Sequence, residues 1–149
     1  MISTVERFWI AFILRFAIGF LFLFAALNIF NEGPESFSKK LSGGFANTWI
    51  ADIDVGGVTG LQVTEKFLYA VPFILAGLSV PILTGIFLRP ALRLGAILLV
   101  ILGLGNYLKL DIATTAADFL FALIICIGLY FLSLEKRDQE NLRREQVPA

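Results

Sequence analysis

Few residues in this 149-residue chain can do chemistry, and the absences decide more than the presences. There is no histidine and a single cysteine, Cys126. Without histidine the chain lacks the commonest general base, the imidazole ligand of haem, and the usual ligand of zinc, copper and non-haem iron. A lone thiol makes neither an internal CxxC nor a disulfide relay. Cys126 lies inside the apolar run ALIICIGLY and is expected to pack as a small buried hydrophobe. Asp52 and Asp54 form a DxD in a glycine-rich stretch, but calcium takes roughly six to eight oxygen ligands and no third protein ligand stands near. A solvated turn is expected there, and no metal site. The remaining candidates are polar groups in apolar surroundings. Arg15 falls about 10 Å inside the first apolar run by helical rise. A charge at such depth costs about 2.5 kcal/mol or more unless it snorkels or finds a partner. One structural role is open to it: Pro81 cannot donate to the carbonyl of Gly77, which leaves an oxygen for a guanidinium to bond. A cofactor role is open too, with the cation facing a lipid headgroup, a quinone oxygen or a partner subunit. Asp118 opens the last apolar run, and Asn28, Tyr69, Asn106, Tyr107 and Lys109 are expected at its level. They form either an outer polar cluster with a Lys109–Asp118 ion pair or an interfacial belt of polar and aromatic side chains.

The elements that hold these residues are membrane spans. The chain is 58% hydrophobic and 16% charged, with a mean hydropathy of +0.83, a surface too apolar for a soluble domain of this length. Twelve basic residues balance twelve acidic ones, so no nucleic-acid footprint exists. A bilayer core of roughly 30 Å needs about 20 apolar residues in a helix. Runs at 8–30, 67–88, 90–108 and 116–134 meet that length, and the first is too long for a secretory signal and lacks a cleavage site. The expected architecture is all-α: a single four-helix membrane domain, with the second and third spans joined by a tight turn at Arg89-Pro90. Residues 31–65 are an outer loop in which Phe37, Leu41, Phe45 and Trp49 recur every four residues, predicting a short interfacial amphipathic helix over about 35–50. The rest of the loop, ADIDVGGVTGLQVT, reads as irregular. A charged tail, 135–149, continues the last helix before fraying at Val147-Pro148. Counting basic flanks gives seven on the side of the termini (Arg7, Arg89, Arg93, Lys136, Arg137, Arg143, Arg144) against four on the other (Lys39, Lys40, Lys66, Lys109). That excess predicts both termini in the cytoplasm and a multi-pass protein of the cell (inner) membrane. Small residues at packing spacing include Gly19, Ala26, Ala91, Gly95, Gly103, Ala122 and Cys126. The fifteen phenylalanines are read as spread around the helices, with lipid as their default contact.

Two stretches carry a family resemblance. ILRFAIGFLFLFAALNIF resembles the first-helix pattern of DoxX/DoxD-like membrane proteins, and LYAVPFILAGLSVPILTGIFLRPALRLGA resembles their second-helix signature. Arg15, Gly19, Pro72, Gly77, Gly85 and Arg89 match the pattern. The family's lysine and glutamate positions are occupied here by Ile29 and Leu75. The resemblance covers most of the chain and implies a four-helix protein with cytoplasmic termini, from a group that includes a subunit of thiosulfate:quinone oxidoreductase and partners of redox-defence complexes.

The function expected from these readings is a non-catalytic integral subunit that scaffolds a larger membrane electron-transfer complex, respiratory or photosynthetic. Its partners would be the lipid bilayer and other integral subunits. No cofactor is expected in the chain itself, only contact with quinone, lipid or pigment held by neighbours. One alternative is a membrane subunit of a quinone-linked oxidoreductase, with Arg15 on a quinone oxygen and Asp118 or Tyr107 exchanging protons. Another is a small transporter or lipid-handling protein. The tight interhelix links and the lack of a paired polar pathway at the midplane speak against transport.

Overall fold

The computed structural model describes residues 4–145, with side chains at 5, 6 and 8–134. In chain order the elements are α1 (Thr4–Glu32), α2 (Pro34–Gly43), β1 (Asp54–Val55), β2 (Val58–Thr59), α3 (Gly60–Thr84), α4 (Leu88–Leu108) and α5 (Ile112–Glu145). Four stretches are long and apolar enough to cross a membrane: Phe8–Glu32, Gly60–Thr84, Leu88–Leu108 and Ile112–Leu134. The protein is an all-α, multi-pass membrane protein. The expected fraying at Val147-Pro148 lies outside the described residues.

Packing follows chain order. α1 lies chiefly on α3 and α4 on α5, and the α3–α4 and α1–α5 contacts close the bundle. The core runs along the axis through Phe22, Val71, Ile82 and Ile125, each about 1% exposed or less. Arg89 donates from Nη2 to the carbonyl of Leu132 at 2.7 Å and so ties α4 to α5. A hydrogen bond from a charged donor at low dielectric is worth roughly 1.5–3 kcal/mol.

Several boundaries differ from expectation, each for a local reason. The turn between α3 and α4 does not fall at Arg89-Pro90. Gly85 takes a left-handed conformation (φ 81°) and donates its N–H to the Pro81 carbonyl at 2.9 Å, which ends α3 at Thr84, four residues before the expected limit. Phe87 is also left-handed (φ 54°) and precedes α4, so Arg89 and Pro90 belong to that helix's first turn, where proline loses no needed N–H. The amphipathic helix stops at Gly43 instead of running to about residue 50, because Gly43-Gly44 breaks it and a chain of tight turns follows. The stretch expected to be irregular contains an antiparallel hairpin, Asp54 opposite Thr59 and Val55 opposite Val58. Its turn is Gly56-Gly57, both at positive φ, with the Gly57 N–H donated to Asp54 Oδ1 at 2.9 Å. Thr59 then caps α3, its Oγ1 accepting from the Gln62 N–H at 3.4 Å.

One further expectation is corrected. Cys126 is exposed on α5, not buried. Its neighbours Ala122 and Ile125 take the inward positions, which turns Cys126 to the outer face. Five phenylalanines of α1 also form an order the sequence reading did not name, while Phe22 lies in the core and Phe30 against Phe73. Phe8, Phe12, Phe16, Phe20 and Phe24 stand in an unbroken four-residue ladder, with successive ring centroids 6.3, 4.6, 6.1 and 6.0 Å apart.

Candidate functional site

The site is a cavity of about 790 Å3. Its walls come from the C-terminal half of α1, the N-terminal half of α3, the C-terminal half of α4 and the N-terminal half of α5. These four half-helices meet only if the spans alternate in direction, which puts the start of α1 at the opposite end of the bundle from the cavity. The cavity end is the one that carries α2 and the hairpin. Phe37 and Leu41 of α2 and Phe45 just beyond it close the wall between α1 and α3.

Most of the lining is aliphatic or aromatic, and the polar groups gather where α4 passes into α5. Asn106 Nδ2 donates to Asp118 Oδ2 at 2.9 Å. Gly103 permits the approach, since a Cβ there would lie 3.2 Å from the Asp118 Cβ. Asp118 Oδ1 makes no hydrogen bond among the described residues, so it remains an open acceptor of a residue on the cavity wall. Lys109 lies between the two helices with its Nζ 5.2 Å from the Phe45 ring centroid, a cation–π contact. Partial burial holds its pKa below the ordinary lysine value of 10.5, against the pull of Asp111 and Asp118. Asp111 accepts at Oδ1 from the Thr114 N–H (3.2 Å) and at Oδ2 from the Thr114 hydroxyl (2.7 Å), capping α5. Those bonds hold its carboxyl below 3.8.

The structure brings together only part of the expected polar cluster. Asn106, Asp118 and Lys109 line the cavity. Lys109 does not close an ion pair with Asp118; among the described residues its ammonium goes to Phe45 instead. Tyr107 is 60% exposed and off the cavity, turned about 100° around α4 from Asn106. Asn28 is exposed, and Tyr69 turns outward to Phe73, with ring centroids 5.8 Å apart. Arg15 lies elsewhere. Its guanidinium carbon sits 5.4 Å from the Phe12 ring and 5.1 Å from the Phe16 ring, and Nη1 lies beside Gly85 at the carbonyl end of α3. That placement suits a cation against a helix C-terminus, not the Gly77 carbonyl. Its Nε is buried without a hydrogen-bond partner. Leu21, the first α1 residue on the cavity wall, is about 9 Å further along by helical rise.

Sequence reasoning missed Asp111 and Thr114, although an Asp just ahead of an apolar run is an N-cap signal. Nothing in the sequence announces the cavity, which arises from how far apart packed helices stand. Among the described residues no group of three or more His, Cys, Asp or Glu could hold a metal ion. Comparison with family models, with curated proteins and with solved structures finds no match to this chain.

Proposed function

We propose that this protein holds a membrane-soluble amphipathic molecule, tail in the cavity and polar head against Asn106, Lys109 and Asp118. The observation that carries the reading is the cavity itself: its volume lies within the roughly 300–1,000 Å3 of small-molecule sites, and its few polar groups stand together at one end. Ile29 and Leu75, which occupy the charged positions of the DoxX-like pattern, both lie on the cavity wall. Aliphatic side chains there favour an acyl or isoprenoid tail. A quinone and a lipid both fit that description. The basic-residue excess supports placement in the cell membrane with cytoplasmic termini and the cavity at the outer end. Arg15, more than a helical turn from the cavity, serves the α1–α3 packing and not a head group.

The test is purification in mild detergent, followed by organic extraction and mass spectrometry of what stays bound. A molecule retained near one per chain is expected, and Ala25→Trp, which projects an indole into the cavity, should expel it. No retained molecule, or retention unchanged by Ala25→Trp, overturns the reading.

A second reading is supported by the aromatic ladder of α1, in which Phe8, Phe12, Phe20 and Phe24 are exposed. Such a face suits the helix of a neighbouring subunit, so the protein would serve as a non-catalytic subunit of an electron-transfer complex. Co-migration from native membranes with haem-, iron–sulfur- or pigment-bearing chains is the expected result. A lone chain under the mildest extraction counts against it.

A further inference from the structure

The polar end of the cavity is not neutral, and its charges select among heads. From the arrangement of Lys109, Asp111 and Asp118 we infer that the site prefers a zwitterionic phospholipid bearing a primary amine. This deepens the proposal above and rests on it.

The groups to be matched are a cation and two carboxyls. Lys109 is held over Phe45 with its stem against Gly44, so the ammonium is fixed in place instead of sweeping through solvent. It is a donor with no acceptor capacity. Asp118 offers Oδ1 as an open acceptor, while its Oδ2 is already engaged by Asn106. Asp111 spends its oxygens on Thr114 but adds negative charge to the same rim. A head that satisfies both signs must carry an anion for Lys109 and, a few bonds away, an N–H-bearing cation for Asp118. A phosphate followed by a primary ammonium has that order.

Other heads fit less well. A phosphoglycerol head supplies the anion but places hydroxyls and net negative charge beside Asp111 and Asp118. A phosphocholine head carries the cation but has no N–H to donate to Asp118 Oδ1. A quinone offers carbonyl acceptors to Lys109 and nothing that a carboxylate can accept.

The experiment is native mass spectrometry of the full-length, delipidated protein titrated with phosphatidylethanolamine, phosphatidylglycerol, phosphatidylcholine and a long-chain benzoquinone, the lipids having matched acyl chains. Phosphatidylethanolamine should bind about tenfold or more tighter than the other heads, the scale of one charge-assisted hydrogen bond. Asp118→Asn should erase that preference while lipid still binds, because the tail contacts remain. Lys109→Gln, which keeps most of the stem, should weaken every phospholipid, because the cation that meets the phosphate is lost. Preference for phosphatidylglycerol, retention of the quinone with phospholipids excluded, or an unchanged head preference in Asp118→Asn overturns the inference while leaving the cavity as a binding site. Absence of binding by all four, with Ala25→Trp indistinguishable from the unaltered protein, overturns the underlying reading instead.

Discussion

Gly95 and Gly77 make a paired test of the packing that shapes the cavity. Both are helix-interior glycines, one on α4 and one on α3. A Cβ added at Gly95 would stand 2.7 Å from Phe22 Cε2 and 2.9 Å from Cζ, whereas one at Gly77 would meet nothing within 4 Å. Carbon atoms at rest lie about 3.5–4.0 Å apart, so the Phe22 ring must retreat by about 0.8 Å or more. Phe22 is 1% exposed, and the room left to it is the cavity that its ring already lines. Overpacking of this kind costs about 1–3 kcal/mol. Replacing helical glycine by alanine gains at most about 1 kcal/mol of propensity, and it does so at both sites. The difference in stability between Gly95→Ala and Gly77→Ala therefore isolates the steric cost, expected at about 1–3 kcal/mol with Gly95→Ala the less stable. Reversible unfolding in mixed dodecylmaltoside–SDS micelles, followed by circular dichroism, measures it. Phe22→Leu should rescue Gly95→Ala with a coupling energy of about 0.5 kcal/mol or more. Gly95→Ala should also lower retention of the cavity's occupant, since the displaced ring takes its space. Equal stability of the two alanine variants, or a coupling indistinguishable from zero, would refute the α1–α4 contact on which the cavity depends.

Three further outcomes are expected. Lys109 has a folded-state pKa below its unfolded value, so its charged form is disfavoured in the fold; stability should rise as pH climbs through the window between the depressed value and 10.5, and Lys109→Met should flatten that rise in a denaturant series across alkaline pH. Arg15→Met should change stability by no more than about 1 kcal/mol, because the cation–π contacts it loses are offset by release of a buried Nε with no partner; it should leave cavity occupancy intact, and loss of the bound molecule in this variant would restore Arg15 to the site. Cys126 is the single cysteine and faces outward, so a nitroxide attached there and reconstituted in liposomes should relax with oxygen and not with a water-soluble nickel chelate. The reverse pattern would remove α5 from the bilayer.

The spans were legible because burial in a bilayer imposes a length and an apolar composition that short-range sequence displays directly. Their ends were less so. Arg89-Pro90 reads as a turn from its residue types, yet Gly85 ends α3 first because a left-handed residue there lets its N–H cap the Pro81 carbonyl. Helical phase decided the individual side chains. Asn106 and Tyr107 are adjacent in sequence, but a step of about 100° sends one to Asp118 and the other outward. The same rotation separates buried Ile125 from exposed Cys126. In a membrane helix both faces are apolar, so composition gives no hint of which side is inward. The ladder of α1 was recoverable from its strict four-residue spacing alone.

The apolar stripe of α2 carries the same ambiguity one level higher, and it bears on function. Phe37, Leu41, Phe45 and Trp49 show that one side of this segment covers something apolar, but a bilayer surface and a bundle interior demand the same stripe. The fold divides them: Phe37, Leu41 and Phe45 line the cavity, while Trp49, beyond the break at Gly43-Gly44, is 63% exposed. Two contacts decide the outcome. Gly33 turns the chain sharply enough for Pro34 to start α2 at once, and Lys40 Nζ meets Glu32 Oε1 at 3.0 Å across that turn. The ion pair is exposed and worth at most about 1 kcal/mol, so it guides the helix and does not clamp it. Packing holds it: Ser38 and Ser42 are buried, and Phe37 lies against the hydrophobic core. The four spans give the cavity its depth, and α2, packed chiefly on α3, closes it at the hairpin end.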